Sequence, residues 1–307
     1  MPQARSTTPA ATSGPHPRRR RLTPLLAWVF VVELILAAAV PLQAGHDGGA
    51  RPAQLVTPAP SRVSAANRSL VVGDRTVRLL GPGGPAGDRL LSRVASAIGG
   101  AINAVEAFWG ADWSREIPVV AAHTDEEFRA AAGGGPAAQW ADIAAVTVVD
   151  RVDAAHRVAI GERIVFAPGA ANMTAGALRI VLTHELFHYA ARVDTAPDAP
   201  RWLTEGVADF VARPTTPVPA DGLPVPLTLP SDADLDAPGS QRSLAYDRAW
   251  WFARFVADTY GAAKLRDLYL AACGPGRTDV PTAVHDVLAT EVPGLLVRWH
   301  EWLTHAR

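Results

Sequence analysis

One apolar, helix-forming stretch of this chain carries three residues that fit poorly in an apolar environment: His184, Glu185 and His188, in the run His184-Glu185-Leu186-Phe187-His188. Leu178, Ile180, Val181, Leu182, Leu186 and Phe187 give the stretch its body at helical spacing, and Thr174 is placed to cap its start. Burying two imidazoles and a carboxylate in such a helix is unfavourable unless something satisfies them. Residues four apart lie on one helix face, so His184 and His188 can present two ring nitrogens to a single divalent cation. Glu185, rotated by about 100° from His184, stays outside that coordination sphere and is free to accept a proton from water. This is the division of labour that H-E-x-x-H supports, with Zn2+ as the expected ion and Glu185 as general base.

A catalytic zinc keeps three protein ligands and leaves a fourth position open. Glu205, seventeen positions beyond His188, is the expected third ligand. It lies in a second helical stretch, residues 201–212, which can return antiparallel to the first after a turn over 193–200. Asp209, one turn further on the same face, is placed to accept a hydrogen bond from the outer nitrogen of a ligating histidine, which would fix its tautomer and raise its basicity. Taken alone, Glu205 and Asp209 would read as solvated helix acids; downstream of H-E-x-x-H they read as ligand and partner.

The runs H-E-L-F-H-Y and W-L-T-E-G-V-A-D-F, residues 184–189 and 202–210, resemble the gluzincin metallopeptidases, a thermolysin-like and aminopeptidase-like group that includes small bacterial members. The resemblance is best from about Ile143 to Tyr260. It implies a zincin-like α+β fold, hydrolysis of peptide bonds, His184, His188 and Glu205 as metal ligands, Glu185 as general base and Asp209 as the histidine's partner. It also makes residues 158–166 the strand before the active-site helix, and Leu244-Ala245-Tyr246-Asp247-Arg248-Ala249-Trp250-Trp251 the helix after the Glu205 helix. In related enzymes a tyrosine or histidine stabilises the oxyanion, and Tyr246 is the matching candidate, with His285 as the other. Sixteen residues separate His188 from Glu205, fewer than in the best-known members. No G-x-M-E-N-type exopeptidase signature is present, so the expected activity is that of an endopeptidase.

Charge is distributed unevenly along the chain. Residues 1–21 hold five arginines, Arg5 and Arg18 to Arg21, and no acid; 29 basic residues less these five leaves 24 against 30 acids, a balance of −6. The body is therefore mildly acidic and lacks the basic face of a nucleic-acid binder. The arginines precede an apolar run, Leu25 to Val40, interrupted by Glu33. Positive charge ahead of such a run is the pattern of an export signal, with the rest of the chain sent across the membrane. Its 16 residues make roughly 24 Å of helix, short of a hydrocarbon core of about 30 Å; flanks from Leu22 to Leu42 bring it to spanning length. Leu42-Gln43-Ala44 fits a signal-peptidase site poorly, which favours an uncleaved anchor over a secreted protein.

The expected organisation is a basic cytoplasmic tail over 1–21, a signal anchor or signal peptide over 22–42, a Gly/Ala/Pro/Ser linker over 43–67 and a catalytic domain over 68–307 outside the cytoplasm. Within the domain, residues 71–80 suggest a hairpin turned at Gly73-Asp74, and 88–109 an amphipathic helix with Leu91, Val94, Ile98, Ile102, Val105 and Phe108 on one side. Strands are expected at 117–121, 144–149 and 158–166, giving a small mixed sheet. Residues 213–243, with seven prolines, read as a loop shaping access to the cleft. A helical lobe follows over 244–307, its core including Trp250, Trp251, Phe255, Leu268, Leu270, Trp299 and Trp302. The lone Cys273 can form no intrachain disulfide and reads as a small packed residue at a helix end. The expected partners are a peptide or protein substrate and, through the N-terminal segment, a membrane. Two other functions use the same residues: a catalytically silent zinc-binding surface protein, and a metal-dependent hydrolase of a non-peptide substrate.

Overall fold

Alternation of apolar residues along three short strands builds a sheet that is covered on both faces. In the computed structural model, residues 28–33, 67–81, 83–153, 155–218 and 227–305 are described, with 28–33, 138 and 139 described by backbone alone. β2 (Arg68–Val72) and β3 (Arg75–Leu80) form the expected antiparallel hairpin, with Gly73 at φ 60 in its turn. β3, β4 (Glu116–Ala121) and β8 (Arg163–Phe166) run parallel, and β5 (Ile143–Val149) is antiparallel to β8. Trp28–Glu33 adds β1 antiparallel to β5, so the six-stranded order is β1-β5-β8-β4-β3-β2. Val146, Val148 and Val165 face a small cluster with Phe128 and Trp140, whereas Val77, Val119, Ala145, Ile164 and Phe166 face the main core. Successive side chains on a strand point to opposite faces, and both faces are buried along most of β5 and β8.

Helices follow the sheet in sequence and space, an α+β arrangement. α1 (Pro85–Trp109) lays Leu91, Val94, Ile98, Ile102 and Val105 against the sheet and against α4 (Ala175–Ala191). It begins three residues earlier than the periodicity suggests because Pro85 occupies the first turn, where its missing amide is harmless. On the other face lie α2 (Asp125–Ala131), capped by Thr124, and the single turn α3 (Ala137–Trp140). α4 starts at the expected cap: Thr174 Oγ1 accepts from the Ala177 amide at 3.2 Å. α5 (Arg201–Ala212) matches the expected second helix residue for residue. Beyond it come α6 (Asp232–Leu235), α7 (Ser240–Tyr260), α8 (Ala262–Cys273), α9 (Val280–Leu288) and α10 (Val292–His305).

Three expectations need correction. Residues 158–166 are two strands: β7 (Val158–Ile160) pairs with β6 (Arg151–Asp153) in a separate hairpin, and only β8 joins the main sheet. The break falls at Gly161, which has φ +70 and lies so close to Asp150 that a Cβ there would meet its carboxylate. The proline-rich segment contains α6, closed by a capping box between Ser231 and Asp234, and α7 begins at Ser240 inside it; residues 219–226 lie outside the described residues. Leu270 is exposed rather than core. Within the expected signal segment over 22–42, Trp28–Glu33 is extended. Three of its six residues are β-branched valines, and the outer edge of β5 offers them unpaired backbone groups. The basic tail, the rest of the apolar run and the linker to residue 66 lie outside the described residues. Among the described residues no helix is long and apolar enough to cross a membrane.

The contact that fixes α5 depends on one missing side chain. At Gly206, a Cβ would stand 2.4 Å from the carbonyl oxygen of Ala249 on α7. Gly to Ala in a helix interior ordinarily stabilises by up to about 1 kcal/mol, but forcing apart two packed backbones costs about 1–3 kcal/mol. Because the clash is with main-chain atoms, the cost lies at the upper end of that range, and Gly206→Ala is expected to destabilise by about 2 kcal/mol, read as a lower urea midpoint; an unchanged or higher midpoint would show that α5 and α7 can separate freely.

Candidate metal centre

α4 is buried on nearly every side, and its polar residues meet partners from two other elements. His184, Glu185 and Glu205 have no exposed surface, and His188 is 3% exposed. His184 Nε2 and His188 Nε2 lie 3.0 Å apart, as their i, i+4 spacing on α4 allows. Glu205 comes in from α5, its Oε2 3.2 Å from His184 Nε2 and its Oε1 3.5 Å from His188 Nε2. One potential ligand atom from each of the three lies within 4.8 Å of the others. Atoms held at the usual 2.0–2.2 Å around a tetrahedral ion are about 3.3–3.5 Å apart, so the set is already close to the size of a divalent-cation cage.

Two further features fit a cation. Glu205 Oε1 is buried and makes no hydrogen bond, a state that a bound ion would relieve. The outer nitrogen of His184 is also taken: Nδ1 donates to Asp209 Oδ1 at 2.9 Å, which leaves Nε2 to face the cluster. Asp209 is held in turn by Arg213, whose Nη1 donates to Oδ2 at 3.1 Å and whose Nη2 donates to Asp247 Oδ1 at 2.9 Å. The Arg213 guanidinium lies over the Trp250 ring, 3.8 Å from its centroid. Arg213 stands one helical turn after Asp209, a spacing that the sequence displays, but nothing in the sequence ties it to Asp247 and Trp250.

Glu185 is set apart from the ligands. Its Oε2 lies 2.7 Å from Thr147 Oγ1 on β5, and the same hydroxyl is 2.8 Å from the Glu185 carbonyl oxygen. Its Oε1 is buried without a hydrogen-bond partner. Behind Thr147, Arg192 pairs with the buried Glu162 at 3.2 Å, and its Nη2 lies 3.4 Å from the Thr147 carbonyl oxygen. On the far side of α4, Phe187 packs edge-on against Trp109 and Tyr269, with ring centroids 5.5 and 5.6 Å away. The apolar and polar residues of the motif thus point in opposite directions, as their helical positions require.

Proton affinities in the cluster are pulled apart. Burial opposes charge on His184, but hydrogen bonds to Asp209 and Glu205 outweigh it and push the imidazole up to about 10. Burial holds His188 down at about 4. Glu205 is drawn down to about 2 by the two histidines in spite of its burial. Glu185 is pushed up to about 7, chiefly by burial, against the pull of His184 and of the Thr147 hydroxyl.

The structure brings together His184, His188, Glu205 and Asp209 as expected, with Glu185 beside them. Tyr246 is buried on α7, close enough to Arg201 to interact with its charge. His285 is exposed on α9 and bonded to Glu291 at 2.8 Å. Thr147, Arg192 and Arg213 are the residues that sequence reasoning missed. The chain matches no protein-family model and no curated protein sequence.

Without a cation, His184 retains its proton at neutral pH, so a metal has to displace it. Apparent affinity for a divalent ion is therefore expected to rise about tenfold per pH unit and level off once that proton is lost. Titration calorimetry in buffers of different ionisation enthalpy should show close to one proton released per ion at neutral pH; none released would contradict the protonated His184. Asp209→Ala is expected to weaken metal binding by about 10–100-fold, read by competition with a chromogenic chelator.

Proposed function

We propose that this chain is a zinc-dependent peptidase of the gluzincin type, cleaving internal peptide bonds, with His184, His188 and Glu205 holding the ion. The observation that carries the reading is the division of two buried carboxylates: Glu205 is drawn among the imidazoles, while Glu185 stands beside them with one oxygen anchored and the other unpaired. Bound there, zinc would supply Lewis acidity toward a scissile carbonyl and toward water. Glu185 takes the proton of the attacking water as its oxygen joins the carbonyl carbon. It then returns that proton to the amine nitrogen as the C–N bond breaks. A carboxylate anchored by one oxygen and unpaired at the other suits both transfers. Asp209 holds the His184 ring in place throughout, and Arg213 holds Asp209.

All four central groups are buried, so a polypeptide reaches them only when part of the cover moves. The segment after α5 is fastened to α7 at both ends, Arg254 donating to the Thr216 carbonyl at 2.6 Å and Arg248 to the Thr228 carbonyl at 2.7 Å. That connection supports a role for the proline-rich stretch in controlling access. The arginines at 18–21 ahead of an apolar run support an extracytoplasmic location for the domain, anchored at the membrane or released after cleavage.

Purified protein is expected to carry one zinc per chain and to cleave unstructured polypeptide; a chelator should abolish cleavage and added zinc restore it. Glu185→Gln should keep the metal and lose about 10²–10⁴-fold in kcat, and His188→Ala should lose both. Zinc binding with no turnover of any peptide would favour the silent surface protein, and turnover of esters or amides alone would favour the non-peptide hydrolase. Normal cleavage by the Gln variant would remove Glu185 from its role.

A further inference from the structure

Thr147 is far from the metal-binding motif in sequence, yet its side chain is fully buried against Glu185. The strand parity of β5 aims it at α4, between Val146 and Val148, which face the opposite side. Its hydroxyl has one proton and two acceptors within reach, Oε2 of Glu185 at 2.7 Å and the main-chain oxygen of Glu185 at 2.8 Å. The main-chain oxygen lies inside α4 and already receives an amide from the next turn. The carboxylate oxygen has no other donor. The proton therefore belongs on Oε2.

Resting on the metallopeptidase reading above, we infer that Thr147 is a positioning residue for Glu185, holding Oε2 so that Oε1 is the oxygen that exchanges the proton with water and leaving group. Three features support it. Oε1 is buried and unpaired, a state that is unfavourable unless something approaches it. A threonine in a strand has a restricted side-chain torsion, so its hydroxyl is fixed in direction before Glu185 meets it. The strand itself is tied to the end of α4, because Arg192, at the helix C-cap and paired with Glu162, lies 3.4 Å from the Thr147 carbonyl. Removing the hydroxyl while keeping the shape would free the carboxylate to turn about its terminal torsions. Displacement of a reacting group by about 1 Å can reduce rate about 10²-fold.

The test uses the full-length, zinc-loaded protein and three variants. Thr147→Val is expected to lower kcat by about 10–100-fold with KM within about twofold and one zinc per chain retained; Thr147→Ser should recover most of the loss. Thr147→Ala gives the same comparison should the Val variant fold poorly. A second readout needs no turnover. In metal-free protein, the urea midpoint shift caused by Thr147→Val should be smaller in a Glu185→Ala background than in the wild type, because the bond it removes is already gone. Equal shifts in both backgrounds, or an unchanged kcat in the Val variant, would overturn the inference. If the wild type binds zinc but cleaves nothing, the peptidase reading fails, and the paired urea midpoints still decide whether Thr147 tethers Glu185.

Discussion

The structure depends on keeping ionisable groups satisfied in the last three turns of a helix, which have no exposed face. From Val181 to Ala191 every residue of α4 is buried, and the stretch includes two histidines and a glutamate. A buried charge with no partner is strongly destabilising, so the elements around α4 must supply partners as well as apolar cover. α5 supplies Glu205 and Asp209, and β5 supplies Thr147. The apolar side is met by α1 and α8, through Trp109 and Tyr269 against Phe187. Each neighbour of α4 thus does two jobs, and its position is set by both.

Those neighbours are held by their own partners. α5 lies against α7 closely enough that Gly206 leaves no room for a methyl group. Arg213 extends the polar chain outward, from His184 through Asp209 to Asp247 on α7. In the C-terminal helices, Phe252 stands between Trp202 and Trp299, each centroid 5.3 Å away. The helical lobe acts as a backing that fixes α5, and through α5 the carboxylate that meets the histidines.

Two carboxylates at the same depth have opposite tendencies. Burial raises the proton affinity of both, but Glu205 has two imidazoles to offset it and falls to about 2, while Glu185 has one hydroxyl and a more distant His184 and rises to about 7. Their environments thus separate two like groups, one held as an anion among imidazoles and the other buried against a single hydroxyl. The difference comes from a rotation of one residue along α4: His184 points at Glu205, and Glu185 points at β5.

Much of this was legible along the chain. The caps and periods of α1, α4 and α5 depend on residues within a few positions of each other, so Thr174, the apolar series on α1 and the limits of α5 could be read directly. The H-E-x-x-H spacing places both histidines on one face by helix geometry alone, and Glu205 and Asp209 follow one turn apart. Strand limits were less legible where one residue changes the course of the backbone, as Gly161 does in separating β7 from β8. The apolar run at the N-terminus has the composition of either a membrane helix or a strand, and Trp28–Glu33 within it is extended along β5. By itself, the sequence determined which residues could converge on a cation and which local elements hold them, since both follow from short-range spacing. Only the tertiary structure decided that Thr147 would meet Glu185, that Arg213 would bridge to Asp247 and that Gly206 would lie against Ala249. Those contacts join residues 34 to 43 positions apart, and no periodicity can encode a distance that arises only when separate elements pack.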